Sequence, residues 1–310
     1  MSEPLKLGTR GSALALAQAR RVAEAIGEAD VVAVRSTDGE PGDKERFVRG
    51  VEAAVLGGEV DLGVHSAKDL PGERPDALRL VGVPKREDPA DAYVGEAATL
   101  ADLPAGARIG TSSLRRRAQL LALRDDLDVI GLSGNVDTRL RKLAAGEYDG
   151  IVLAAAGLRR LDREVEIAFR FDVDELTPAP GQGSLALEGR RDADHAATAA
   201  ARISDHDALV ELTAERAVVA ALDATCMTPV GVCARLDGEL EVVGFAGLPD
   251  GSEWVRDRVR GDPSQPAALG DALAERMIAA GAREILDRAA AGTSSAPEVG
   301  GGDPETSRAR

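Results

Sequence analysis

Aromatic side chains and cysteines are both scarce in this chain of 310 residues. Phe, Trp and Tyr together make up 2% of it, although 44% of the residues are hydrophobic. We therefore expect cores built from Ala, Val, Leu and Ile. Two cysteines, Cys226 and Cys233, are too few for a disulfide scaffold, and the six residues between them are not a usual zinc spacing. These shortages predict a reduced, intracellular protein without a metal site.

Lysine and long apolar runs are also lacking. The chain has only five lysines against many arginines, and its formal net charge at pH 7 is -15. This balance argues against nucleic acid as a main partner, because phosphate binding needs a basic face. No apolar run reaches the length of a membrane span, and no basic segment followed by an apolar block opens the chain. We expect a cytoplasmic protein with no membrane partner.

An acid-rich, lysine-poor surface is typical of proteins from cells with high internal salt. Screening at high ionic strength reduces the mutual repulsion of so many carboxylates. The composition therefore predicts a salt-requiring protein from a halophilic organism.

Two segments in the first half of the chain follow the same plan. Leu5 to Gln18 is an apolar strand ending in Gly-Thr, then a polar turn and a helix rich in Ala and Leu, and Arg108 to Gln119 repeats this order. In both copies a second strand and a helix follow, and a third strand begins after Asp61 or Asp149. Alternating strands and helices predict α/β architecture with two similar, doubly wound lobes. Ligands of such folds sit at the carboxyl ends of strands, so we expect the site between the lobes.

The whole chain divides into three predicted domains and a tail. We expect the chain to cross between the lobes twice, near Lys85 to Pro89 and near Thr177 to Gly183. The second crossing is rich in Pro and Gly, which is typical of a hinge and also of a plain loop. From about Asp205 the pattern changes to one long helix followed by three strands, with Asp-Gly pairs that indicate hairpins. One final helix is predicted over Pro266 to Ala290. These elements predict an α+β domain. The predicted boundaries are 1–86 with 182–203 for the first lobe, 87–181 for the second lobe, 204–290 for the third domain and 291–310 for a disordered tail.

The segment Ile109 to Arg117 carries the strongest functional signal. An apolar run ends in Gly-Thr, two serines follow, and three arginines open a helix. A helix N-terminus has unpaired N–H groups and a partial positive charge, so arginines there have the wrong sign for the dipole. The segment predicts a site for several carboxylates, which hydroxyls and guanidinium groups would bind together. A capped helix with a solvated basic face has the same pattern.

The two copies differ after their third strands. The first has His65 to Pro71, which includes Lys68 and Asp69, where the second has the apolar Ala154 to Leu158. Since the apolar version satisfies the fold, the polar version needs another reason. Lysine beside aspartate at a strand end indicates an acid/base or charge-stabilising site, with an ordinary surface ion pair as the alternative. His65 alone fits packing and chemistry equally well.

The two cysteines lie in different surroundings. Cys226 follows the long helix of the third domain in a polar loop, where a cysteine can be a nucleophile, an attachment point or only structural. Cys233 lies within an apolar strand, and we expect it to be part of the core.

Several motifs in a fixed order resemble the porphobilinogen deaminase family, over nearly the whole chain except the tail. They are Gly8-Thr9-Arg10-Gly11-Ser12, Val64 to Pro71, Arg86-Glu87-Asp88-Pro89, Gly110 to Arg116, Gly134-Asn135-Val136, Ala156 to Leu161, Gly181-Gln182-Gly183, Thr213 to Arg216, and Cys226 before Pro229. The resemblance implies lobes like those of periplasmic binding proteins. It also implies a transferase, hydroxymethylbilane synthase, which joins four porphobilinogen molecules head to tail and releases ammonia at each step. Such enzymes act in the biosynthesis of tetrapyrroles such as haem, cobalamin and sirohaem, on a covalent dipyrromethane cofactor.

The resemblance implies a role for each matched residue. Cys226 would hold the dipyrromethane through a thioether, and Asp69 would stabilise the cation left when ammonia leaves and manage protons. The cofactor would be bound by Lys68, Ser113, Arg115, Arg116 and Arg139. The substrate would be bound by Arg10, Ser12, Thr111, Arg160, Gln182 and Lys44. Every ring of the product carries two carboxylates, which explains why an acidic chain concentrates arginine in these motifs.

Three positions depart from the family pattern. Ser133 stands where an arginine usually precedes Gly-Asn-Val, so one anchor for a carboxylate is missing. The loop before Phe47 is shorter than usual, which leaves the alignment of Lys44 open. Next to Cys226, Ala224-Thr225 replaces a smaller Gly-Gly pair.

Two other functions use parts of the same pattern. A non-catalytic, two-lobed anion-binding or solute-binding protein would keep Arg115 and Arg116 but would need neither Asp69 nor Cys226. A different transferase would use Cys226 as its nucleophile, although no His or Asn stands near it in the sequence. A covalent adduct on Cys226 would distinguish the deaminase from both. We expect a monomer, since no segment marks a large apolar interface.

Overall fold

The computed structural model describes residues 3–35, 45–72, 74–225 and 227–294, which contain three β-sheets, nine α-helices and three short 3-10 helices. The strands are β1 (Leu5–Arg10), β2 (Ala29–Val34), β3 (Leu62–Ser66), β4 (Leu78–Gly82), β5 (Asp91–Gly95), β6 (Arg108–Gly110), β7 (Asp128–Ile130), β8 (Gly150–Ala154), β9 (Phe169–Arg170), β10 (Leu185–Arg190), β11 (Val230–Asp237), β12 (Glu239–Gly247) and β13 (Trp254–Gly261). The helices are α1 (Ala13–Ile26), α2 (Glu45–Leu56), α3 (Leu114–Leu123), α4 (Val136–Ala144), α5 (Ala155–Arg160), α6 (Asp194–Arg202), α7 (His206–Ala221), α8 (Pro266–Ala279) and α9 (Ala282–Ser294). Two predicted site residues, Lys44 and Cys226, lie outside the described residues.

Each lobe has a five-stranded mixed sheet. The strand order is β2-β1-β3-β10-β4 in the first lobe and β7-β6-β8-β5-β9 in the second. In each sheet the first three strands are parallel, and the fourth strand is antiparallel to its neighbours. The predicted fold class is confirmed, since two similar α/β lobes precede a separate α+β domain. The exact boundaries predicted for the domains stay a prediction.

The chain exchanges one strand between the lobes as it crosses from one to the other. Strand β5 follows the first crossing and becomes the antiparallel strand of the second sheet, while β10 follows the second crossing and becomes that of the first sheet. Both lobes therefore have the same order of strands although their chain connections differ. This exchange brings the two crossings side by side, where Glu87 N–H donates to the Gly183 carbonyl at 3.1 Å.

The cores of the two lobes differ in composition. The first-lobe core is aliphatic, as expected, with Leu7, Leu62 and Leu187 fully buried. The second-lobe core is not: Tyr93 and Phe169 stack with their ring centroids 4.8 Å apart, beside Phe171. The expectation of cores built from Ala, Val, Leu and Ile is thus wrong for the second lobe. It is also wrong for the third domain, where Phe245 is 1% exposed and stacks with Trp254.

The third domain is an antiparallel meander, β11-β12-β13, packed against helices. Gly238 makes the turn between its first two strands at a φ of +75°, which confirms the Asp-Gly hairpin signal. The single final helix predicted over Pro266 to Ala290 is wrong. Two helices, α8 and α9, are separated at Gly281, whose φ of +97° ends the first one. Residues 291–294, predicted as the start of a disordered tail, belong to α9, and the rest of that tail lies outside the described residues.

Within those described ranges, no helix combines the length and the apolar character that crossing a membrane requires.

Candidate active site

The first helix of each lobe begins directly after a strand and is capped by serine. The Ser12 hydroxyl accepts from Ala15 N–H at 3.3 Å at the start of α1, and the Ser113 hydroxyl accepts from Arg116 N–H at 3.4 Å at the start of α3. The buried Thr111 hydroxyl accepts from Ser113 N–H at 3.2 Å. These caps place both helix N-termini, with their partial positive charge, at the carboxyl ends of the sheets.

Arg115 and Arg116 do not form a solvated basic face. Their side chains are buried and bind Asp91, which is also fully buried at the start of β5. Arg115 Nη1 lies 2.7 Å from one carboxylate oxygen, while Arg116 Nε and Nη2 lie 3.0 and 2.7 Å from the other. The alternative of a solvated surface helix is therefore excluded, since both guanidinium groups are held inside the protein.

Asp91 is the counterion that the sequence reasoning missed. Burial alone would raise the pKa of Asp91, but Arg115 and Arg116 hold it well below its usual range, so the group is ionised. One carboxylate then faces two guanidinium groups, which leaves an excess of positive charge. Both arginines also bind the backbone: Arg115 Nη1 donates to the Thr177 carbonyl at 2.6 Å and Arg116 Nη1 to the Val152 carbonyl at 2.9 Å.

Lys68 of the first lobe is linked to Asp91 of the second through Gln182. Lys68 Nζ donates to Gln182 Oε1 at 3.4 Å, and Gln182 Nε2 donates to Asp91 at 2.9 Å and to the Pro89 carbonyl at 2.7 Å. Burial and then the nearby Arg116 lower the pKa of Lys68 to about 8. Gln182 is 1% exposed and uses its amide within the protein, so its predicted contact with substrate stays a prediction.

Asp69 lies beside Arg10 at the more open side of this group. It ends a short 3-10 turn, Ala67–Asp69, and its carboxylate is 3.8 Å from Arg10 Nη1, with both side chains 38% exposed. The second crossing packs against this turn at Gly181. A Cβ there would lie 2.9 Å from Lys68 N, and the residue has a φ of +75°, so glycine is required for the approach.

The two remaining predicted arginines are placed differently. Arg139 lies on α4, and its Nε donates to the Gly134 carbonyl at 2.8 Å. Burial lowers the pKa of Arg139, and the charge of Arg116 on α3 lowers it further. Arg160 donates to the Gly183 carbonyl at 2.6 Å, and burial lowers its pKa to about 10 although Glu87 partly offsets this. Arg160 therefore contacts the second crossing.

We call the group formed by Arg10, Lys68, Asp69, Asp91, Arg115, Arg116, Arg139 and Gln182 the basic cluster. It gathers five cations and two carboxylates from both lobes and the second crossing. Burial lowers the pKa of Lys68, Arg115 and Arg139, and the positive charge of their neighbour Arg116 lowers these pKa values further. Arg115 Nε is buried with no hydrogen-bond partner among the described residues. In the described part of the chain, the buried guanidinium groups of Arg115 and Arg116 thus share the single carboxylate of Asp91, and an anionic ligand would supply further negative charge.

A second buried ion pair holds the crossings against the third domain. Arg86 Nη1 lies 2.8 Å from Glu215, which is fully buried and also accepts from the N–H groups of Ala234 and Gly181. Both residues stand in motifs that were quoted for the family resemblance, but nothing in their spacing predicted the pair. Contacts between residues so far apart in the chain are decided by the fold.

His65 and Cys233 are both buried within sheets. The His65 ring lies on β3 with Nε2 3.4 Å from a Glu188 oxygen, on the sheet rather than among the charges of the basic cluster. Cys233 lies in β11, and burial raises the pKa of its thiol to about 12, which confirms that it is a core residue.

An open cavity lies away from the basic cluster. About 750 Å³ opens between residues 170–175 and Arg235 of the third domain. Its lining includes Asp88, Asp172, Asp174 and Glu175, and none of the predicted site residues. An acidic lining does not suit a ligand rich in carboxylates, so the basic cluster remains the candidate site. No group of three or more His, Cys, Asp or Glu side chains suited to a metal occurs among the described residues.

The fold and the basic cluster define a class: two-lobed α/β proteins that hold buried positive charge at the strand ends, where the lobes meet. A family model described as "Porphobilinogen deaminase, dipyromethane cofactor binding domain" matches residues 5–198, and one described as "Porphobilinogen deaminase, C-terminal domain" matches residues 209–279. The chain belongs to the porphobilinogen deaminase family, a family of transferases. Its first 198 residues thus contain the domain that binds the dipyrromethane cofactor in this family.

Curated relatives agree with this assignment over nearly their whole length. A porphobilinogen deaminase from Thermus thermophilus is 47% identical over 90% of this chain and 97% of its own. One from Roseiflexus sp. is 46% identical over 92% and 99%, and one from Campylobacter concisus is 41% identical over 92% and 98%. The alternative of a non-catalytic solute-binding protein is not favoured. A solved TRAP periplasmic solute binding protein from Desulfovibrio salexigens is 12% identical over 66% of this chain and 73% of its own, with a TM-score of 0.40.

Proposed function

We propose that this protein is a hydroxymethylbilane synthase that joins four porphobilinogen molecules head to tail. In each condensation a carbon–carbon bond forms and a carbon–nitrogen bond breaks, and ammonia leaves. The single observation that carries the proposal is the pair of buried guanidinium groups of Arg115 and Arg116 at the N-terminus of α3, which share the one carboxylate of Asp91 in a chain whose net charge is -15. A product chain with two carboxylates on every ring supplies the missing negative charge.

The residues present fit a dipyrromethane cofactor. Arg115 has an unused buried donor, Lys68 and Arg139 have charges that burial disfavours, and the N-terminus of α3 adds its partial positive charge. Each of these features is stabilised by a carboxylate. When bound, the cofactor supplies the pyrrole terminus to which the first substrate molecule is added. We assign cofactor binding to Lys68, Ser113, Arg115, Arg116 and Arg139.

Asp69 is the proposed catalytic residue. Loss of ammonia from the aminomethyl group of porphobilinogen leaves a cation delocalised over the pyrrole ring, and a fixed carboxylate near the ring nitrogen stabilises it. Asp69 is 38% exposed, whereas the other carboxylate of the cluster, Asp91, is fully buried on two arginines. It is therefore the carboxylate that a bound ring can reach. It can also accept the proton released at the end of each condensation.

Substrate binding is proposed for six further residues. Arg10 stands beside Asp69, so one guanidinium group can bind a substrate carboxylate while Asp69 faces the ring. Ser12 and Thr111 lie at the two helix N-termini, and Arg160 and Gln182 lie at the second crossing. Lys44 completes the set from outside the described residues.

Cys226 is proposed as the attachment residue of the cofactor, through a thioether. Between α7 and β11, Thr225 N–H on one side of it donates to the Thr228 hydroxyl on the other, at 2.8 Å. Peptide mapping and intact-mass measurement of the purified protein test the assignment. We expect a dipyrromethane adduct on Cys226, none in Cys226→Ser, and normal loading in Cys233→Ala, whose buried thiol is the matched control. Active protein with an unmodified Cys226 would contradict the proposal.

We further propose that the protein is a cytoplasmic monomer from a halophilic organism, and that it requires salt. The support is its net charge of -15 with only five lysines, since screening by salt reduces the repulsion among surface carboxylates. The temperature of unfolding should rise steadily between low and molar KCl. A temperature of unfolding that does not depend on KCl would rule out the salt requirement.

A further inference from the structure

Gln119 connects the arginine helix to two other parts of the chain. It lies on α3 one turn after Arg115 and is fully buried. Its Oε1 accepts from Thr177 N–H at 2.8 Å and from Arg256 Nη2 at 3.0 Å. Its Nε2 donates to the Thr177 carbonyl at 3.0 Å. A buried amide with all its partners in place fixes the groups around it, because any shift leaves a polar atom unpaired.

Thr177 and Pro178 are the point where these contacts meet. The Thr177 carbonyl accepts from Arg115 Nη1 at 2.6 Å as well as from Gln119. The Pro178 carbonyl accepts from Val232 N–H, at 2.9 Å, on the first strand of the third domain. The approach is close enough that a Cβ on Gly231 would lie 2.5 Å from the Thr177 carbonyl oxygen. One dipeptide thus contacts both the Arg115 guanidinium and the third domain.

Arg256 brings a side chain of the third domain to the same amide. Arg256 lies on β13 and donates to the Glu175 carbonyl at 3.0 Å as well as to Gln119. The carbon of its guanidinium group lies 5.4 Å from the ring centroid of Phe245 and 5.7 Å from that of Trp254. The two aromatic rings restrict where the guanidinium can lie. The third domain therefore fixes Gln119, which fixes Thr177, which fixes Arg115.

We propose that Gln119 and Arg256 are positioning residues that set the distance between Arg115 and the third-domain loop over residues 222–229. The inference rests on the proposed function, in which that loop carries the cofactor on Cys226 and Arg115 binds a carboxylate of the same cofactor. A ligand attached at one end and bound at the other requires a fixed span between the two. Neither residue needs to touch the ligand for this role.

The test uses protein made without cofactor and loaded by adding porphobilinogen. Intact mass then gives the rate at which the adduct forms on Cys226. In Arg256→Ala and in Gln119→Ala we expect loading slower by about tenfold, the effect of losing one or two buried hydrogen bonds. The double variant should be no slower than the slower single variant, because both act through one contact. Arg256→Lys should recover part of the rate.

Arg258→Ala is the matched control. Arg258 lies two residues further along β13 and also joins the third domain to the second lobe, through a 2.7 Å contact with Asp174, but it does not reach Gln119. We expect this variant to load at the normal rate. With loaded protein, Arg256→Ala should raise the KM for porphobilinogen more than it lowers kcat, since later rings bind to the same displaced Arg115.

Equal loading rates in all variants would overturn the inference, and so would a double variant in which the two reductions in loading rate multiply. Equal slowing by Arg258→Ala would also overturn it, because it would indicate a general loss of domain docking. If Gln119→Ala does not fold, Arg256→Ala decides the test, since Arg256 is only half-buried. Wild-type protein that forms no adduct on Cys226 would instead reject the proposed function, so the two failures are distinguishable.

Discussion

The first strand of each lobe contains a glycine that is followed by threonine, Gly8 in β1 and Gly110 in β6. In both lobes this glycine makes room for the residue that precedes the aspartate before the third strand. A Cβ on Gly8 would lie 2.7 Å from Val60, and one on Gly110 would lie 2.8 Å from Tyr148. The aspartates that follow make the same bond: Asp61 accepts from Lys6 N–H and Asp149 from Arg108 N–H, both at 2.8 Å. The lobes are alike down to single hydrogen bonds.

Their charged side chains occupy different positions on this common frame. After the capping serine, the second lobe has Arg115 and Arg116 where the first has Leu14 and Ala15. Opposite the end of the third strand, the second lobe has Asp91 paired with Ala154. The first lobe has Leu185 paired with Ser66 at the same place.

The first lobe instead places its charges just after the third strand. Lys68 and Asp69 follow β3, where the second lobe has Ala156 and Gly157 after β8. The two sets of charges are therefore complementary: buried guanidinium groups in one lobe, and a half-exposed carboxylate in the other. Under the proposed function, the buried guanidinium groups of the second lobe bind carboxylates, and Asp69 of the first lobe acts on the reacting ring.

The largest expected effect is on the first lobe. Asp69→Asn keeps the shape of the side chain and removes its charge, so kcat should fall by about 100- to 1000-fold, the usual cost of losing a group that stabilises charge in a transition state. The temperature of unfolding should stay within a few degrees of the wild type, because the side chain is 38% exposed. Steady-state kinetics with an unfolding curve measures both. Normal turnover in this variant would contradict the assignment of the catalytic carboxylate to the first lobe.

The next effect concerns the second lobe. Asp91→Asn leaves two buried guanidinium groups without a counterion, and breaking a buried pair in this way costs about 3–5 kcal/mol of stability. The loss, measured by urea unfolding, should be smaller in cofactor-loaded protein, since the ligand's carboxylates replace part of the missing charge. Asp174→Asn, which removes a half-exposed carboxylate from Arg258, is the control and should cost little. Equal losses with and without cofactor would argue against carboxylate binding here.

The smallest effect is a pH dependence that arises where the lobes meet. Without cofactor, the pKa of Lys68 is about 8 because of burial and Arg116, so the lysine loses its charge as the pH rises past that value. Bound carboxylates favour the charged form and raise the pKa, so binding takes up a proton above pH 8. Cofactor loading should therefore slow by about tenfold for each pH unit well above 8, the ratio set by one ionisation. In Lys68→Arg the rate should stay level to about pH 9.5, since arginine remains charged; the same decline in both proteins would exclude Lys68.

The sequence was most informative where local patterns decide the structure. The strand–turn–helix repeat and the Asp-Gly hairpin follow from neighbouring residues, and both were predicted correctly. The break at Gly281 was missed because one glycine interrupts an otherwise continuous helical pattern, and the helix pattern alone does not distinguish a break from a tolerated glycine.

The partners of the predicted site residues were beyond the sequence. Arg115 and Arg116 were singled out, but the carboxylate that holds them, Asp91, is more than twenty residues away and looks like an ordinary strand residue. Gln119 and Arg256 likewise come together only when the third domain packs against α3. The sequence identifies a charge that needs explaining, while the fold decides which charges meet.

The exchange of β5 and β10 has a consequence for synthesis of the chain. Residues 87–181 contain every strand of the second sheet, so that sheet can be completed as soon as its own segment has emerged from the ribosome. The first sheet cannot, because β3 and β4 wait for β10, and Ser66 pairs with Leu185. The lobe that is translated first is thus finished last, and its hydrophobic strands need protection in the interval.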